Sequence, residues 1–208
     1  MTATIRRLGL AVLLAAAPVA ATFAVPAAAQ TADPAGAPIQ ALDDGLLAIM
    51  KGGKAMGFAG RAAKIGPVVD RAFDIPLMTR LSIGPAWTTT APADQAALVA
   101  AIRKLTVAQY AGNFDGWSGE SFRIAPQVET RGSDKLVRTT LVPTKGDATA
   151  IAYRLRQSGG QWKVIDVFYQ NSVSQLATRR SDFASVLAKG GAKALVAHLD
   201  QLSAKAAR

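Results

Sequence analysis

His198 is the single histidine of the 208-residue chain, and cysteine is absent. Thiolate chemistry is therefore excluded, and any imidazole relay or histidine-based metal site must pass through one residue. His198 flanks a helical stripe of Leu195, Leu199 and Leu202, and no carboxylate or nucleophile is spaced to give it a task. It reads as a boundary or surface position. Glu120 and Glu129 are the only glutamates, and no Asp-x-Asp spacing suggests calcium or magnesium. Asp70 and Asp74, four residues apart, share one helix face; a solvated face with a helix cap at Asp74 explains them more simply than paired acid/base work. Gly57 and Gly60 follow a helix rather than joining a strand to one, so they punctuate the chain and do not cradle a phosphate. No catalytic residue, metal ligand or cofactor is expected.

Asp166 and Arg180 are the polar residues that do not fit a surface. Asp166 is expected on one strand face with Val164 and Phe168, and Arg180 falls within a helical stripe of Leu176, Phe183 and Leu187. Buried charges require partners. The two are expected either to pair, fixing the C-terminal helix on the sheet, or to leave Arg180 free for the anionic headgroup of a ligand.

The elements that must position these residues follow from hydrophobic period. Ile39, Leu42, Leu46 and Ile49 predict a helix ended by Gly52-Gly53. Phe58, Ala62, Ile65, Val69 and Phe73 predict a second, kinked at Gly66-Pro67. A short helix carries Leu77, Met78 and Leu81, and Gly84-Pro85 stops it. Pro92 and Asp94 then open a long helix whose stripe is Leu98, Val99, Ile102, Leu105 and Tyr110. From Ser121 the period changes to two. Four strands are expected near 121–129, 135–143, 149–157 and 161–170, joined by turns such as Ser158-Gly159-Gly160, which makes an antiparallel meander. Helices carrying Leu176, Phe183 and Leu187, then Leu195, Leu199 and Leu202, follow, with a break at Gly190-Gly191. The order helices, strands, helices predicts an α+β fold in which a twisted four-stranded sheet and helices enclose an apolar cavity, a cone of the NTF2-like type.

Arg6 and Arg7 precede an apolar run from Leu8 to Ala17, and Ala27-Ala28-Ala29 supplies small residues for cleavage near Ala29. This is the pattern of an export signal, although Leu8 to Ala29 would also be long enough for a retained anchor. The expected organisation is a signal peptide over 1–29, a Pro/Gly/Ala linker over 30–37 and one domain over 38–208, located in the periplasm. The formal net charge is +10, but basic residues are spread along the chain without aromatic interleaving. Nucleic-acid binding fits poorly, and an anionic membrane surface or acidic partner fits better.

Trp162-Lys163-Val164-Ile165-Asp166-Val167, followed by Val173-Ser174, Arg180 and Phe183, resembles the C-terminal signature of the MlaC, or toluene-tolerance, family. Asn171 to Leu176, Thr178 to Ala184 and Gly190-Gly191 are most similar to its hopanoid-associated branch, HpnM. Val68 to Met78 and Gly84-Pro85-Ala86-Trp87 agree in the N-terminal half. The resemblance implies a periplasmic carrier, not an enzyme, that binds a phospholipid or hopanoid. It also implies movement of that lipid between an inner-membrane ABC transporter complex and an outer-membrane lipoprotein complex. Candidate pocket residues are Phe73, Leu77, Leu81, Tyr110, Ile151, Tyr153, Leu155, Val167, Leu176 and Phe183, each of which ordinary core packing would also explain. The alternatives are a small enzyme using Asp166 and Tyr153 on an apolar substrate, or an adaptor of a transport complex that carries no ligand.

Overall fold

The computed structural model describes residues 33–170 and 172–208. The leader expected over 1–29, the first linker residues (30–32) and Asn171 lie outside the described residues. The remainder of the linker is packed: Ala35 is buried, and its N–H donates to Asp33 Oδ1 at 2.9 Å.

Helix α1 (Gly36–Ala72) consists of two helical segments joined across a kink, and the first segment ends at the expected Gly52-Gly53. Its non-helical backbone angles fall at Gly53 (φ 50°) and Gly57 (φ 64°), not at Pro67. The left-handed conformation there is one that glycine adopts without steric cost. Buried Arg61 holds this break, donating through Nη1 to Gly53 O (2.9 Å) and through Nε to Ala111 O (2.7 Å). Helix α2 (Ile75–Ile83) is capped by Asp74, whose Oδ1 accepts from Leu77 N–H at 3.0 Å. After a 3-10 turn over Gly84–Thr89, helix α3 (Pro92–Asn113) begins at the expected proline.

Among the described residues the sheet is antiparallel but has six strands, not four. They are β1 (Ser121–Ile124), β2 (Glu129–Arg131), β3 (Asp134–Val142), β4 (Thr149–Ser158), β5 (Gln161–Tyr169) and β6 (Val173–Ser174). The first expected strand is split in two, with Pro126, which has no N–H for a ladder, in the gap, and both pieces pair with β3. β6 adds two residues to the far edge before α4 (Gln175–Ala206), which is broken at Gly191 (φ 65°).

A bulge in β5 redirects the polar residues. Arg154 pairs with Asp166 and Leu155 with Val164, so Ile165 is the extra residue. Side chains therefore do not alternate simply along β5. Val164 and Val167 share the face of Tyr153 and Leu155, while Asp166 and Phe168 lie on the opposite face with Ala152 and Arg154. The expectation that Asp166 and Val164 share a face fails for this reason.

The helices pack on the Tyr153 face. Leu42, Leu46, Leu98, Ile102, Tyr153, Leu155, Leu195 and Leu199 belong to one buried cluster. Burying each such side chain is worth about 1.5–3 kcal/mol. Where α3 crosses the end of α4, a Cβ on Gly112 would collide with the carbonyl oxygen of Ala206. Gly112→Ala is expected to destabilise the protein by about 1–3 kcal/mol through this overpacking. Gly36→Ala, with open space around it, should be neutral. Urea denaturation of the two variants checks the pair, and equal midpoints would mean that α4 does not press on α3 here.

Candidate functional site

The end of α1 is stitched to the sheet. Asp74 N–H donates to Val164 O at 2.9 Å, and Phe73 bridges to Val164. This places Phe73 against α3, where its ring centroid is 5.9 Å from that of Tyr110. Tyr110 lies 6.0 Å from Phe114, and Phe114 lies 6.3 Å from Phe122. Beside this aromatic row is a cavity of about 190 Å³. Its walls are Phe73, Met78 from α2, Thr106, Gln109, Tyr110, Asn113 and Phe114 from α3, Val167 from β5, and Gln175 and Arg179 from α4. One wall is aromatic and aliphatic; the other carries two glutamines, an asparagine and a guanidinium. A groove of about 290 Å³ between α1, α3 and α4 also contains cations, Arg103 and Lys104. Both are already held on the surface, by Asp70 at 2.6 Å and Asp200 at 2.7 Å.

Of the ten candidate pocket residues, Phe73, Tyr110 and Val167 border the cavity. Tyr153, Leu155 and Phe183 are fully enclosed in the core, and Ile151 packs on it. Leu77 is half-buried on α2. Leu81 and Leu176 line a separate cleft of about 340 Å³ together with Asp166, Phe168 and Arg180.

Asp166 and Arg180 do not form an ion pair. Asp166, 3% exposed, accepts from Val167 N–H (2.8 Å) and Leu176 N–H (3.0 Å) through Oδ1 and from Ser174 Oγ (2.6 Å) through Oδ2. It anchors the start of α4. Arg180 is exposed, with its guanidinium over Gly84, where a Cβ would lie 3.0 Å from Nη2. Asp166 also cannot work with Tyr153, because the two side chains leave the sheet on opposite faces.

Sequence reasoning missed the polar cavity wall and Asp43. Asp43 falls on the stripe of Ile39, Leu42 and Leu46 and is 1% exposed. Its Oδ2 accepts from Thr139 Oγ1 at 3.1 Å, and Oδ1 has no protein partner among the described residues. Burial pushes its pKa up to about 7, with Thr139 opposing and Asp44 reinforcing the shift. Burial also raises the Tyr110 and Tyr153 hydroxyls above the usual tyrosine range, and the Asp43 charge adds to both shifts. Burial weakens the hold of Arg179 on its proton, against the attraction of Tyr110 and Asp166. Among the described residues no group of three His, Cys, Asp or Glu side chains is placed to hold a metal, and no helix is long and apolar enough to cross a membrane.

The protein family described as MlaC protein matches residues 40–201. Among solved structures, the chain is similar to the phospholipid-binding protein from Ralstonia solanacearum, determined in complex with a phospholipid. The TM-score is 0.70 at 27% sequence identity, covering 85% of this chain and 100% of that one. No curated protein matches the chain.

Proposed function

The chain belongs to the MlaC protein family, and from that premise we propose that it is a periplasmic lipid carrier that takes the apolar part of a phospholipid or hopanoid between its helices and sheet. The observation that carries this reading is the cavity beside Phe73, Tyr110, Phe114 and Val167, in a fold similar to that of a protein determined with a phospholipid bound. Such a site needs no catalytic group. Each acyl CH₂ moved from water into it gains about 0.8 kcal/mol.

The volume sets a condition on the mechanism. About 190 Å³ lies below the roughly 300–1,000 Å³ usual for sites that enclose drug-sized ligands. Loading therefore requires the cavity walls on α2, α3 and the start of α4 to move apart. A carrier that opens and recloses suits exchange with an inner-membrane ABC transporter complex and an outer-membrane lipoprotein complex, the roles that its family likeness suggests.

Protein purified from the periplasm, extracted with organic solvent and analysed by mass spectrometry, is expected to yield a stoichiometric lipid. Its identity would decide between phospholipid and hopanoid. A folded protein that yields none, and takes up none from vesicles, would overturn the carrier reading.

A further inference from the structure

We propose that Arg179 is the anion-recognising residue of the cavity: a carboxylate or phosphate is held by its guanidinium while the apolar chain attached to it enters the cavity. This rests on the lipid-carrier reading and adds a polarity to it.

The argument starts from how the chain treats its other arginines. Among the described residues, five arginines are buried or half-buried: Arg61, Arg138, Arg154, Arg156 and Arg179. Arg61 donates to two backbone carbonyls, Arg138 to Glu129, and Arg154 and Arg156 to Asp134. Arg179 alone has neither. Its Nη2 donates to the neutral Gln109 Oε1 at 2.9 Å, and no carboxylate among the described residues lies within ion-pair distance. A guanidinium has five N–H donors in a fixed fork, and a partly desolvated cation without a counter-charge is costly. Asp166 is near enough to be felt electrostatically. Both of its oxygens, however, are already occupied by Val167, Leu176 and Ser174.

The geometry also supplies a place for the rest of the ligand. Arg179 forms part of the wall of the same cavity as Phe73, Met78, Tyr110 and Phe114, so an anion at the guanidinium has an apolar surface within reach for its chain. Carboxylate and phosphate both match the fork in a bidentate fashion. A neutral headgroup does not.

The test measures displacement of a neutral pyrenyl alcohol from the full exported protein by dodecyl phosphate, dodecanoate and dodecanol. In the wild type both anions are expected to bind about tenfold more tightly than dodecanol, as a charge-assisted hydrogen bond allows. Arg179→Gln should remove that preference, so that all three ligands bind it within about twofold of one another, and an unchanged circular dichroism spectrum reports that the variant is folded. Arg180→Gln, an identical charge change on the exposed neighbour, should leave the preference intact. Equal binding of all three ligands to the wild type, or a preference that survives Arg179→Gln, would overturn the assignment while leaving the lipid cavity standing. Failure of all three to bind would overturn both. Inorganic phosphate that displaces the probe as well as dodecyl phosphate does would mark a free-anion site and overturn the lipid headgroup.

Discussion

Replacing Asp43 by asparagine is expected to stabilise the protein at pH 8 by about 4 kcal/mol, and the gain should shrink steadily as the pH falls toward 4. The carboxyl sits one turn from Ile39 and Leu46 in a helix face that is otherwise aliphatic, with one oxygen on Thr139 and the other without a partner among the described residues. Folding raises its pKa from 3.8 to about 7, chiefly through burial. The folded state therefore holds a proton that the unfolded chain releases. Stability from this group is full below pH 3.8, declines as the pH rises through the interval, and is lost above about 7. A shift of about three units, at 1.36 kcal/mol each, gives the 4 kcal/mol. Asparagine copies the shape of the neutral acid and cannot ionise. Asp33, Asp70, Glu129 and Asp134 shift the opposite way because of their Lys and Arg partners. They are common to both proteins and cancel in the difference. Urea denaturation of wild type and variant from pH 5 to pH 8 should show the gap widening by about 3 kcal/mol. A gap that stays constant with pH would mean that Asp43 remains hydrated and ionised in the folded protein.

Asp43 also shows what the sequence can and cannot announce. Its position on the stripe is visible beforehand, but one aspartate beside Asp44 looks like part of a solvated helix face until Thr139 is seen opposite. Helix α3 was legible because Pro92, Asp94 and a regular apolar stripe agree, and the meander because its turn residues separate runs of period two. The division of the first strand was less so: Pro126 lies inside an otherwise strand-like run, and only the separate pairing of both pieces with β3 reveals two strands. The bulge at Ile165 has no local signature, since Val164, Ile165 and Val167 all suit a strand. Yet that one residue sends Asp166 to the other face and removes it from the cavity. Arg179 and Arg180 are likewise equivalent by periodicity. Each lies three or four residues from both Leu176 and Phe183, and about 100° of helix phase decides which meets Gln109 and which lies over Gly84. The pattern located the helix and its apolar side, while the identity of the buried guanidinium depended on tertiary packing.

Asp166→Ala is expected to cost about 3 kcal/mol or more, and Asp166→Asn only about 1 kcal/mol. Alanine leaves three donors without their acceptor: Val167 N–H in β5, Ser174 Oγ at the N-cap of α4, and Leu176 N–H in its first turn. It also removes a carboxylate from the positive end of that helix. Asparagine keeps an oxygen for both N–H groups, because both bonds converge on Oδ1. The Ser174 hydroxyl, which accepts from Ala177 N–H at 3.0 Å, is the one group whose bond must be rearranged. The cost therefore separates a capping role from an ion-pair role, since a salt bridge would suffer comparably from either change. Denaturant unfolding checks the ordering, and hydrogen exchange at Leu176 and Val167 should accelerate selectively in the alanine variant. Equal losses in the two variants would show that charge, and not the placement of the oxygens, holds α4 to the sheet. Because the first turns of α4 bring Gln175 and Arg179 to the cavity wall, loosening them should weaken ligand retention in Asp166→Ala at temperatures where the rest of the fold is intact. The asparagine variant should retain ligand as the wild type does.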